Sequence, residues 1–401
     1  MSHYQPSKQI LQRYARVLVN YALNSGKGIK PGEVVECVMP DAAKALGLAL
    51  QNTVLKSGGH PLIRLVPTLF DKDFFRLADE RQLTFFPEKY LQAKADLIDH
   101  QIGIIADVNP LELQSVRPQK IILKRDSQKP YRDWLDEKET AGKFTWTLGL
   151  WATPAKAKLA GLSLRAYWQQ IIKACFLDKA DPISQWQKVS QLQQEIIKKL
   201  NFLPIQLIKV KGQDTDLTIK IGENRQWVGG SGRNIPSFEI FTSPDWRGVS
   251  GWMRFNEPIF RYGNKISGVY LELKHGLVVK AQAKTGQKLL TAMVKSKNAD
   301  KIGEFSLTDK RLSRINHIMA EILFDENISG QYGNCHLAIG KSYKDCYRGD
   351  AKQLIAKDWE DLGFNDSAEH TDFISTSDRT VIAVLPNHQE KIIYQHGRFT
   401  L

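Results

Sequence analysis

Two short stretches of this chain bring together residue types that could do chemistry. The first, Glu326 to Tyr343 (ENISGQYGNCHLAIGKSY), sets a carboxylate, the imidazole of His336 and a phenol close together, with glycines between them. A carboxylate and an imidazole both ligate a borderline divalent metal such as zinc, and a phenol donates a hydrogen bond to developing negative charge. The second is His370-Thr371-Asp372. In a strand, positions i and i+2 point to one face, so His370 and Asp372 could grip one ion together.

Two more carboxylates stand in apolar surroundings. Glu239 lies between a glycine-rich turn (Gly229-Gly230-Ser231-Gly232) and Pro244, flanked by Phe238, Ile240 and Phe241. Glu304 repeats the situation in the run Ile302 to Leu307. Burying a charged carboxylate is costly unless it is paired or coordinates a cation. Each residue also has a plainer reading. A lone glutamate can be a salt-bridged edge residue, His336 a hydrogen-bonded core histidine, Cys335 a packing residue, and 229–232 a tight turn. His317 reads as a surface residue and His275 as a turn residue. No single position carries a functional claim.

The elements that must position these residues divide the chain in two. Apolar positions Ile10, Tyr14, Val17, Leu18 and Tyr21 fall at helical spacing after Ser7, a cap residue. Val34 to Met39 reads as a buried strand, Asp41 to Lys56 as a helix stopped by Ser57-Gly58-Gly59, and Leu62 to Val66 as the next strand. A strand–helix–strand unit implies a parallel α/β sheet. The pattern continues through a helical stretch at Glu88 to His100, a strand at Ile102 to Ala106, a helical return at Pro110 to Gln114, and a strand at Thr145 to Leu150. A long helical segment from Ser163 to Leu200 closes this half. GxGxxG and GxxxxGK are both absent after its strands, so the predicted doubly wound domain has no nucleotide fingerprint.

Beyond a boundary near Asn201 to Gln206, short alternating runs at Leu207–Val210, Leu217–Ile221, Trp227–Val228, Val269–Leu273 and Leu277–Ala281 predict antiparallel strands. Leu312, Ile315, Met319, Ile322 and Leu323 predict a helix that delivers Glu326 at its C-terminal end. The expected architecture is an α/β domain with a mostly parallel sheet over 1–204 and an α+β domain over 205–401.

The chain has 401 residues, 42% of them hydrophobic and 25% charged, and a formal net charge of +13. Its basic residues are spread along the chain with no helix-turn-helix, RNP or finger pattern, which speaks for a solvated basic surface rather than a nucleic-acid interface. No apolar run approaches the ~20 residues that cross a bilayer, and the first residues lack a secretion-signal core. Four scattered cysteines without CxxC fit a reduced, cytoplasmic protein.

Taken in order, GRNIPSFEIFTSP, IGEF, LFDEN followed by GNCHLAIGKSY, and HTDF resemble the thermophilic metallo-aminopeptidase family, the aminopeptidase T type of zinc or cobalt enzyme. The resemblance covers the full length. It implies a dinuclear metal site in the C-terminal domain, with Glu239, Glu304, His336, His370 and Asp372 at the positions that bind the two ions. It places Glu326 where a further acidic residue contributes, Tyr343 at the catalytic tyrosine, and Glu304 at the bridging ligand. It also implies two divalent ions (Zn, Co or Mn), short peptide substrates with a free N-terminus, and a homodimer. Phe238 stands where the family commonly has glycine, ISGQYGN lengthens the segment after Asn327, and DWRGVSGW is expected to reshape the substrate pocket. Whether Glu326 still reaches the metals past that lengthened segment is for the fold to decide. Two other readings stay open: a metal-binding relative without peptidase activity, and a basic nucleic-acid or anion binder whose affinity would fall steeply with salt.

Overall fold

The computed structural model of the chain describes residues 4–230 and 232–401. Its first helix spans Lys8–Val17 and continues through a π-turn at Leu18–Ala22. The Ser7 hydroxyl accepts from the Ile10 amide at 3.3 Å, satisfying one of the free donors of the first turn. Tyr14, on the buried face, accepts at its hydroxyl from the Leu150 amide at 2.8 Å. Leu150 ends the last strand of a four-stranded parallel sheet, ordered His60–Val66, Val34–Pro40, His100–Ile105, Thr145–Leu150. The helix Lys44–Lys56 is the crossover between the first two strands in sequence. It stops at Gly58, whose φ of +80° favours glycine. The strand–helix–strand reading of the sequence is what the backbone adopts here.

Past residue 204 the ladders are antiparallel. An eight-stranded sheet runs from Leu277–Gln282 at one edge to Arg398–Phe399 at the other. A smaller sheet holds Glu239–Thr242, Ile302–Thr308, Asn334–Gly340 and His370–Ser375. One core joins them, with Val210, Leu217, Ile219 and Phe255 from the large sheet and Phe305, Leu337, Ile339 and Phe373 from the small one. Every residue of the two central strands of the small sheet is buried, so both its faces are covered. Among the described residues no helix is long and apolar enough to cross a membrane.

The helix Pro182–Phe202 ties the two halves together. Trp186 and Val189 belong to the core around the parallel sheet, and Ile197 and Leu200 to the core between the antiparallel sheets. Midway, the buried Gln193 donates from Nε2 to the Glu239 carbonyl at 3.0 Å, anchoring the strand on which the first candidate carboxylate stands.

Several expected elements differ. The segment predicted as one helix from Ser163 to Leu200 is two helices, Leu164–Ala174 and Pro182–Phe202. Phe176 at φ +57° and the Asp181 cap with Pro182 behind it break the run. Pro110 to Gln114 forms turns, and two helices that the sequence reading did not foresee follow, Pro118–Ser127 and Lys129–Thr140. Trp227–Val228 contributes only an isolated bridge from Val228 to Phe241. The helix expected over Leu312–Leu323 is absent except for one turn at Ile322–Asp325. Ser231, part of the expected glycine-rich turn, lies outside the described residues.

Candidate metal centre

The small sheet gathers the candidate residues by register. Cross-strand partners share a face. Glu239 stands opposite Thr308, and Ser306 opposite both Phe241 and His336. Ala338 stands opposite Glu304 on one side and Asp372 on the other, and Gly340 opposite His370. All five expected ligands therefore lie on one face of one sheet. The residues between them, Ser306, Ala338 and Gly340, are small, which leaves a hollow where the longer side chains converge. The ladder between Ile302 and Glu304 slips at Gly303, where a Cβ would stand 2.1 Å from the Lys341 carbonyl. Only glycine fits that approach.

In the hollow, His336 Nε2 lies 3.3 Å from a Glu239 oxygen, 3.2 Å from Glu304 and 3.8 Å from Asp372. His370 Nε2 lies 3.6 Å from the other Glu304 oxygen and 3.5 Å from Asp372. The two sets, Glu239 with Glu304 and His336, and Glu304 with His370 and Asp372, each bring one ligand atom per residue within 4.8 Å of one another. Glu304 belongs to both. His370 Nδ1 donates to the Lys341 carbonyl at 2.9 Å, which leaves the Nε2 lone pair facing the carboxylates. The Ser306 hydroxyl donates to Glu239 at 3.1 Å.

Glu326 joins them. It sits just after the Ile322–Asp325 turn and lines the same cavity, with Oε1 accepting from Asn234 at 3.0 Å and Asn327 at 3.3 Å. The lengthened segment after it turns away: Ser329 bonds the Ile315 carbonyl, and Tyr394 reaches the Tyr332 carbonyl. Phe238 likewise faces away, stacked on Trp186 at 5.2 Å in the first core. No residue of Asp245 to Trp252 lines the cavity or the chamber beside it, so DWRGVSGW does not form their walls.

The electrostatics of this packing are severe. Burial, joined by the charge of Glu239, pushes Glu304 up to about 7 despite the two imidazoles. Burial, with Glu239 and Asp372 nearby, holds Glu326 well above the usual carboxylate range. Burial alone would lower His336, but its bonds to Glu239 and Glu304 raise it well above the ordinary imidazole value. Burial would raise Asp372, yet His370 and His336 hold it below the ordinary range. Four buried carboxylates around two imidazoles are what divalent cations relieve. The cavity measures about 60 Å³, room for a few water-sized species.

Tyr343 stands at the rim, its ring edge-on to His370 at 4.8 Å and to Phe241 at 5.7 Å. It lines both this cavity and a larger chamber of about 470 Å³ that shares Trp146, Arg233 and His370 with it. Sequence reasoning had not singled out Arg233, Asn234, Gln193 or the Lys341 carbonyl. Arg233 and Asn234 lie inside the quoted GRNIPSF motif, but their roles depend on partners distant in sequence.

The same overall fold is found in a solved structure, wild-type AmpT from Thermus thermophilus. It superposes with a TM-score of 0.82 at 22% identity, covering 98% of this chain and 100% of that one. The fold is shared, and the clustered carboxylates and imidazoles suit a metal-binding protein. Residues 7–399 match the thermophilic metalloprotease family (M29), and the chain belongs to it. Its relatives include aminopeptidase 2 of Geobacillus stearothermophilus, 26% identical over 97% of each chain, and aminopeptidase AmpS of Bacillus subtilis, 25% identical over 98% of each. Aminopeptidase T of Thermus thermophilus is 26% identical over 92% of this chain and 93% of its own.

Proposed function

We propose that this protein, a metal-dependent aminopeptidase, holds two divalent ions in the carboxylate–imidazole hollow and removes single residues from the free N-terminus of short peptides. The observation that carries this reading is the overlap of the two potential ligand sets at Glu304. Glu239 and His336 would complete one set and His370 and Asp372 the other, with Glu304 between them. The oxygen-rich donors with two imidazoles suit Zn²⁺, Co²⁺ or Mn²⁺. Bound there, such ions supply Lewis-acid polarisation of a peptide carbonyl, a lowered pKa for the attacking water and an acceptor for the substrate's α-amine.

The chain's own groups do the rest. Lys341, through its carbonyl, fixes the His370 ring. The Tyr343 hydroxyl, which bonds no other described residue, donates to the carbonyl oxygen as that oxygen gains charge. Glu326 has Oε1 held by two amides, so Oε2 is left to take a proton from the attacking water and return it to the leaving amine.

A homodimer fits the exposed edge strand His60–Val66, where Leu62, Ile63 and Leu65 face solvent beside Leu69 and Phe70. A monomer-sized species in sedimentation would remove that part of the reading. Four free, buried cysteines suit a reducing, cytoplasmic setting.

The test is metal content together with release of free amino acid from unblocked dipeptides, before and after chelation. About two ions per chain are expected, with at least one lost in His370→Ala or Asp372→Ala. Unchanged stoichiometry in both variants would remove the ligand assignment. Equal cleavage of an N-acetylated peptide would point to an endopeptidase.

A further inference from the structure

The ion cavity is small beside the adjoining chamber of about 470 Å³, with which it shares Trp146, Arg233, Tyr343 and His370 and whose size holds a drug-like ligand. One wall of that chamber is a single face of the helix Lys129–Thr140, made by Arg132, Leu135, Asp136, Glu139 and Thr140 at helical spacing. Lys341 to Asp345, the segment that follows the His336 strand, also line it, and Phe144 and Trp146 supply apolar surface.

Most charges in these walls cancel. Asp136 pairs with Lys341, and Glu139 and Asp345 both pair with Arg233. Arg132 and Lys344 are left over. Lys344 lies over the Trp359 ring at 5.3 Å. Arg132 is half-buried, spends one N–H on the Arg125 carbonyl at 3.0 Å and has no ion-pair partner among the described residues. Its neighbour Arg125 is already matched by Asp126 and Glu369. Burial, with the like charge of Arg125 adding to it, pulls the Arg132 pKa down and outweighs Tyr262, Asp126 and Asp133, which act to raise it. A partly desolvated guanidinium with donors to spare, facing a ligand-sized chamber, is a carboxylate acceptor.

We propose that Arg132 receives the free C-terminal carboxylate of the peptide whose N-terminus lies at the metal centre. The preferred substrates are then di- and tripeptides with both ends unblocked. This rests on the aminopeptidase reading above.

The test compares a leucyl-glycine dipeptide with its C-terminal amide, by calorimetric binding and by turnover, on metal-loaded protein. Wild type is expected to bind the free acid roughly 10- to 100-fold more tightly, the range for one hydrogen-bonded charge pair. Arg132→Gln should bring the two near parity by weakening the acid alone, and Arg132→Lys should keep part of the difference. Equal affinity of the wild type for acid and amide overturns the proposal, and this comparison needs no variant to fold. So does an Arg132→Gln protein of unchanged melting temperature that weakens both ligands alike or neither. Failure to release amino acid from either peptide removes the aminopeptidase reading instead, while the binding ratio still decides the carboxylate site.

Discussion

Tyr343 is the proposed catalytic residue that need not touch an ion, so its side chain can be tested without disturbing the ligand set. Its ring is held by Phe241 and His370, and its amide donates to the Ser243 hydroxyl at 2.8 Å. Ring position is therefore set by packing and backbone, and the hydroxyl adds nothing to either. A phenol is neutral near pH 7, and burial, with Glu304 and Asp372 close by, pushes its pKa well above the ordinary value. It can thus donate to an oxyanion without adding charge to the centre. Tyr343→Phe is expected to keep its metal content and melting temperature while turnover falls by roughly 10²- to 10³-fold, as for other lost oxyanion donors. Full turnover in the metal-replete variant would leave the tyrosine as a packing residue only.

At the scale of elements, the site is a property of strand register. Ala338 sits in one cross-strand row between Glu304 and Asp372, so only a methyl stands between those two along the row. Ala338→Val keeps a strand-compatible residue but puts two more carbons where the ligand atoms converge. It should fold at a cost of about 1–3 kcal/mol from overpacking and lose at least one ion by elemental analysis. Full metal occupancy in the folded variant would mean the ions lie elsewhere. That hollow was not legible in the sequence. His370 and Asp372 could be paired from their i, i+2 spacing, but the smallness of Ala338 matters only once three strands are aligned.

The helix expected at Leu312 to Leu323 failed for a related reason. Its apolar spacing fits 3.6 residues per turn, and Ile315, Met319 and Leu323 are indeed buried while Leu312 and Ile322 are partly so. The backbone finds distant partners instead. Asp325 accepts from the Met319 and Glu321 amides, the Tyr167 hydroxyl donates to the Met319 carbonyl, and Lys156 donates to that of Ala320. With those groups satisfied, a helix is not required. The first helix was legible because its cap and its face are local: Ser7 and Tyr14 lie within one element.

Across the whole molecule, a chain of net charge +13 keeps Glu239, Glu304, Glu326 and Asp372 buried together. Stability without metal must then depend on protons. Glu304 is raised from the ordinary glutamate range to about 7, and Glu326 and His336 are raised as well. A group raised in the folded state contributes stability that is present below its unfolded pKa and lost as pH rises through the folded one. For Glu304 that window runs from about 4.5 to about 7, and the other two act in the same direction. Asp372 has the opposite sign, since its lowered pKa adds stability that is lost only in acid, beneath this window. Divalent ions replace the protons and bind more tightly as the ligands deprotonate, so the loaded protein escapes the loss. The melting temperature of loaded protein should therefore exceed that of chelated protein, and the gap should widen by a few degrees between pH 5 and pH 7.5. Subtracting the two curves at each pH removes every titration remote from the centre. A gap of zero throughout, or one that narrows as pH rises, would show that the buried carboxylates are not the residues that hold the metal.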